Sequence, residues 1–141
     1  MDDEWLFIDA KRGGRDYVAS VRLPFDPWQW PEYDVHVAVA LPYAPHWRSG
    51  LPKSAKVLSE LQEREDRWIA MLEGHGALVA TETSDAWRTM HLYIRDGGPM
   101  AVMFREMAEQ PESRKRPTVA ITPDPGWEGV AHLTRVVLAN A

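Results

Sequence analysis

Between positions 53 and 73 the chain carries one uninterrupted amphipathic segment, and this stretch limits the possible folds more than any other. Ser54 is a candidate N-cap and Gly74 a C′ residue, the usual punctuation of a helix. On a 100° wheel Val57, Leu58, Leu61, Trp68, Ile69 and Leu72 fall in one broad apolar stripe. A helix with one apolar face must bury it against another layer. The flanking sequence supplies that layer. VHVAVAL (35–41) precedes it, with Val35, Val37 and Val39 on one face, and ALVATETS (77–84) and AWRTMHLYIRD (86–96) follow, joined by a turn at Ser84-Asp85. In the last of these strands Met90, Leu92 and Ile94 point one way, and Trp87, Thr89, His91, Tyr93 and Arg95 the other.

Asp96-Gly97-Gly98-Pro99 opens a second helix, with Pro99 in its first turn. Met100, Met103, Phe104, Met107 and Ala108 give it a buried face, and Pro111 ends it before the strand PTVAIT (117–122). Upstream, EWLFID and YVASVRL surround Gly13-Gly14 and read as a β-hairpin. Hairpin aside, the order is strand, helix, strand, strand, helix, strand. That is the βαββαβ order of a ferredoxin-like two-layer sandwich, an α+β fold with right-handed crossovers, two helices on one face of an antiparallel sheet and the hairpin added at an edge. The tail after residue 123 is ambiguous: Trp127, Val130, Thr134, Val137 and Leu138 fit a helical period, but Gly126 and Gly129 weaken it. With no repeat and no long linker, residues 1–141 are expected to form one domain.

Composition narrows the function classes. The absence of cysteine removes disulfides, thiolate ligands and Cys nucleophiles. The acidic start MDDEW is unlike a secretory signal and no apolar run approaches 18 residues, so the expectation is a cytoplasmic protein without a membrane span. A net charge of −5, from 21 acidic and 16 basic residues, argues against nucleic acid as a partner. The one dense basic run, Arg114-Lys115-Arg116, reads as a solvated loop.

Gly50-Leu51-Pro52 leads into the long helix carrying Glu65-Asp66; a strand pair with Arg88 and Tyr93 follows, and Asp124-Pro125-Gly126-Trp127 closes the pattern. Across nearly its whole length the chain thus resembles the bacterial domain-of-unknown-function family 695. It lacks the aromatic-rich end expected after Trp127. The resemblance implies a family position for Gly50, Leu51, Pro52, Glu65, Asp66, Arg88 and Trp127, and no assigned activity. The architecture is also similar to that of the type B regulators of ribonuclease E activity, which act by binding an enzyme.

Glu65 is the most informative residue. Its wheel angle lies between those of Leu58 and Leu61, inside the apolar stripe, whereas Asp66 falls on the solvent side. A carboxylate there is either an acid/base or recognition group in a cleft beside residues 43–50, or a structural carboxylate capping backbone N–H groups or pairing with Arg88 or Arg22. His36, His46, His75, His91 and His132 form no HxxxH or HExxH pair, so a metal site would need partners from distant strands, and no metal or cofactor is expected. No GxSxG or phosphate-loop pattern occurs, and Asp96-Gly97-Gly98-Pro99 reads as a capped turn. What remains is a surface. Trp87, His91, Tyr93 and Arg95 would project from the open sheet face, beside Trp28 and Trp30 of the Pro-rich PFDPWQWPEYD loop (24–34), the residue types that interfaces favour. The leading expectation is therefore a non-enzymatic interaction or regulatory domain, with a protein partner or a second copy. The alternative is a small-molecule binder or hydrolase using Glu65 as acid/base.

Overall fold

The computed structural model describes residues 4–23, 30–111, 116–133 and 135, so Trp28, Arg114, Lys115, Thr134, Val137 and Leu138 lie outside the described residues. Strands β1 (Glu4–Arg12) and β2 (Arg15–Leu23) form the N-terminal hairpin. Its two-residue turn is Gly13-Gly14, both at positive φ, the conformation that matches strand twist in a tight hairpin. β3 (Val35–Pro42), α1 (Ala55–Leu72), β4 (Gly76–Ser84), β5 (Trp87–Ile94), α2 (Pro99–Ala108) and β6 (Thr118–Pro123) follow. The six strands make one open antiparallel sheet in the order β1-β2-β4-β5-β3-β6, with β2 joining the hairpin to β4. Among the described residues, no helix is long and apolar enough to cross a membrane.

Both helices lie on one face of this sheet. Leu61 and Leu72 of α1, and Met100, Ala101 and Phe104 of α2, share a core with Val35, Val37, Val39, Leu41, Leu78, Met90, Leu92 and Ile94. The helices meet where Trp68 stacks on Phe104, ring centroids 5.6 Å apart. Ser54 caps α1 as its sequence implies, its Oγ accepting from the Val57 N–H. The stripe on α1 is wider than its buried contact: Leu58 and Ile69 remain 38% and 40% exposed. The cause is width. Two helices roughly 10 Å across cannot cover six strands spaced about 4.8 Å apart, so α1 overlooks the β1–β2 extension rather than sealing it.

The opposite face is not open. A second core gathers Ile8, Tyr17, Ala19, Val21, Val79, Ala80 and Tyr93 beneath Trp127, Val130 and Leu133 of the C-terminal segment. That segment makes a 3-10 turn at Glu128–Val130 and continues helically over residues 131–133. Trp127 adopts φ 56°, and its indole stacks on Tyr93 at 4.2 Å, its Nε1–H donating to the Tyr33 carbonyl at 2.9 Å. Trp30 stacks on the outer side of Trp127 at 5.8 Å. The expectation that His91 and Tyr93 stand free therefore needs correcting: they are 6% and 0% exposed, because the tail whose conformation was ambiguous folds over them.

Asp124 pins that cover. Its carboxylate accepts from the Tyr93 hydroxyl at 2.7 Å and from the backbone N–H groups of Glu128 and Gly129 at 2.8 Å each. At Gly129 a Cβ would stand 2.9 Å from His36 Nδ1, so any larger residue would have to displace that ring. Burial alone would raise the Asp124 pKa, but these three bonds outweigh it and hold the carboxyl below its usual range. Asp124→Asn should therefore lower stability at pH 7 by about 1–3 kcal/mol. A group whose pKa is depressed on folding stabilises above its unfolded value, about 3.9, and loses that contribution as pH falls through the folded value. Urea melts of both proteins should accordingly show a gap that is full at pH 6–7 and narrows below pH 4. An equal gap at all pH values would rule out the charged clamp.

Candidate functional site

The overhang of the hairpin creates a cleft of about 630 Å³ between α1 and the β2–β4 region. Leu58, Gln62 and Glu65 form its helix side, and Leu51 and Pro52 close one end. Val18, Ser20, Thr81, Thr83 and Arg88 form its floor, and Phe7, 76% exposed, stands at its outer margin. Apolar and polar side chains share the lining, the first able to cover a ligand's body and the second to orient it, as in small-molecule sites. A neighbouring cavity of about 480 Å³ runs along residues 42–45 and α1, but Glu65 does not line it. A cleft thus does lie between the long helix and residues 43–45, but Glu65, expected in it, lines the larger one on the other flank of α1.

Glu65 and Arg88 are the charged pair of this cleft. Arg88 Nη1 lies 3.8 Å from Glu65 Oε2, too long for a hydrogen bond, while Arg88 Nε–H donates to Thr83 Oγ1 at 2.9 Å. Glu65 Oε1 is buried and accepts no hydrogen bond among the described residues, although the side chain keeps 17% exposure. Burial pushes the Glu65 carboxyl above the usual range; the Arg88 charge opposes this and neighbouring Asp66, itself exposed, adds to it. A half-buried carboxyl with one unengaged oxygen and a cation within 4 Å can bind a donor or exchange a proton.

The second constellation sits on the opposite face, under the C-terminal segment. His91 Nε2 lies 2.6 Å from Glu82 Oε2, and His91 Nδ1 lies 3.0 Å from His36 Nε2. Tyr17 donates its hydroxyl to Glu82 Oε1 at 2.5 Å, and His132 Nε2 approaches the same oxygen at 3.0 Å. Burial would raise Glu82, but the hydrogen bonds from His91 and Tyr17 and the nearby histidines bring it down to about 2. His36 is pushed down to about 4, first by burial and then by His91. A β-bulge makes this arrangement possible. The β4–β5 register shifts between Leu78 and Ala80, so Val79 and Ala80 both join the second core. Strict alternation would put Glu82 on the face of Leu78, toward α1; the extra residue turns it to the histidine side.

The residues expected to form one contact surface are dispersed. Trp87 lines the cavity by residues 42–45, Arg95 is exposed beyond the end of β5, His91 and Tyr93 are buried, and Trp30 is half-buried against Trp127. Leu51, Pro52, Glu65 and Arg88 come together in the cleft, while Gly50 packs against the Asp85 backbone in the turn beside it. Glu82 and Tyr17 were missed. Glu82 depends on a bulge and Tyr17 on pairing 65 positions away, and neither leaves a local signal.

Site-resolved NMR titration of the glutamate side chains should give Glu65 a midpoint above about 4.3, the free-glutamate value. Arg88→Ala should move that midpoint further up, because it removes the one charge that favours the ionised form. A downward shift would show that Arg88 is not the partner.

Compared with known proteins, the chain matches no protein-family model, no curated protein and no solved structure, so the geometry of the chain itself carries the functional reading.

Proposed function

We propose that this protein binds a small amphipathic molecule in the cleft between α1 and the β2–β4 strands, with Glu65 as the acceptor for a donor group of the ligand. The observation that carries this reading is the buried Glu65 Oε1, which has no hydrogen-bond partner among the described residues and stands beside a cleft of about 630 Å³. An unmade hydrogen bond to a buried charged group costs on the order of 1–3 kcal/mol or more. A ligand amine, amide or hydroxyl offsets that cost on entering, and the soft terminal torsion of Glu lets either oxygen turn toward it. Phe7, Leu58, Val18 and Leu51 then cover the apolar body of the ligand.

Two further points favour the cleft over a protein-contact surface. His91 and Tyr93 offer almost no area to a partner. Leu51, Pro52, Glu65 and Arg88, far apart along the chain, come together in this one cleft. In the same reading the β3-α1-β4-β5-α2-β6 segment is a ferredoxin-like unit, on the strength of its strand order β4-β5-β3-β6. The hairpin is the addition that supplies the outer wall of the cleft.

A fragment screen of small amines and hydroxylated aromatics, read by backbone amide shifts, should place its hits at Val18, Ser20, Leu51, Leu58 and Thr83. Glu65→Gln should weaken them about 10- to 100-fold, the value of a charge-assisted hydrogen bond. Phe7→Ala should weaken them roughly fivefold, from about 1 kcal/mol of apolar contact. Hits that cluster elsewhere, or that ignore Glu65→Gln, would sink the proposal.

A further inference from the structure

On the opposite sheet face, we infer that Glu82, His91 and His132 form a binding site for a late first-row divalent cation of the Zn²⁺ class. Each residue offers one donor atom, a carboxylate oxygen of Glu82 and one ring nitrogen from each of His91 and His132, and the three lie within 4.8 Å of one another. Tetrahedral coordination with bonds of about 2.0–2.1 Å sets donor atoms roughly 3.3 Å apart. His91 Nε2 stands 2.6 Å from Glu82 Oε2 and His132 Nε2 stands 3.0 Å from Glu82 Oε1, so the two imidazoles already converge on one carboxylate. Seating an ion widens the His91–Glu82 contact toward the tetrahedral spacing and turns the His132 ring, which is 45% accessible.

The donor chemistry selects the ion. Two imidazoles and one carboxylate suit Zn²⁺ and its neighbours, whereas Mg²⁺ and Ca²⁺ prefer all-oxygen shells. Glu82 and His91 are rigid, 12% and 7% accessible at their side chains, and belong to neighbouring strands. His132 is carried by the segment that Val130 and Leu133 anchor, both fully buried. Outer partners are also in place. With a cation on Nε2, the His91 Nδ1–H points at His36 Nε2, 3.0 Å away, and the Tyr17 hydroxyl holds Glu82 Oε1. Such partners fix the tautomer and orientation of ligating groups. Arg12 Nη1, 3.8 Å from Glu82 Oε1, is the competing cation; it is 65% accessible and its guanidinium also lies over the Tyr17 ring. Three protein ligands leave a fourth coordination position, the arrangement of open rather than closed zinc sites.

The test uses the full chain stripped of metal by chelator. Calorimetry with Zn²⁺ should show one equivalent bound, and Co²⁺ should give the intense visible absorption of a low-coordinate site. His132→Ala removes a ligand at an exposed position, so circular dichroism should stay that of the wild type while affinity falls about tenfold or more. His75→Ala, an exposed histidine in the turn after α1, should leave binding unchanged. No one-equivalent binding, or His132→Ala binding as tightly as wild type, would overturn the inference and leave the cluster as a hydrogen-bond network.

Discussion

A sheet of six strands covered on one face by only two helices is the constraint from which the other features follow. The helices settle over the centre, where Val37, Val39, Met90, Leu92 and Phe104 are fully buried. At the hairpin side the sheet outruns them, and the margin of the α1 stripe, Leu58 and Ile69, looks across uncovered strand. That overhang is the cleft. On the reverse face no helix layer is available, so the chain after β6 folds back to cover Tyr93 and Val21. Asp124 ties that return to the sheet by three hydrogen bonds to one carboxylate, and Trp127 adds the apolar contact. Face by face, the sites are what the two covers leave: a groove where the helices stop short, and a polar nest where the tail lies over histidines.

Much of this architecture is readable along the chain because it rests on short periods. The α1 stripe, its Ser54 cap, the valines of β3 and the split faces of β5 are all local patterns that the folded packing preserves. Glu65 is legible for the same reason: an acid inside an apolar stripe has to be buried or border a cleft. What escaped is non-local. The expected open face depended on knowing where residues 124–133 go, and glycines at 126 and 129 mask that path. A Cβ at Gly129 would crowd the His36 and Asp124 side chains, a fact visible only once the segments meet. The bulge at Val79 is equally silent in sequence, yet it decides which face Glu82 serves.

Glu65 and Glu82 show how little burial alone decides. Both are largely withdrawn from water, at 17% and 12% side-chain accessibility, and desolvation is the largest influence on each. Their pKa values nevertheless move in opposite directions. Glu82 accepts hydrogen bonds on both oxygens, from His91, Tyr17 and His132, so its charge is fully engaged. Glu65 has one cation at 3.8 Å and an oxygen with no donor, so its charge is under-served. The number of donors, not the depth, sets the sign. The two carboxylates therefore suit different guests. An ionised, pre-oriented carboxylate flanked by imidazoles fits a cation that brings its own charge. A carboxyl with a raised pKa and a vacant lone pair fits a neutral or protonated donor that completes its shell. Strand β4 contributes to both sites, with Thr81 and Thr83 facing the cleft and Glu82 facing the histidines, and a single inserted residue separates the two chemistries.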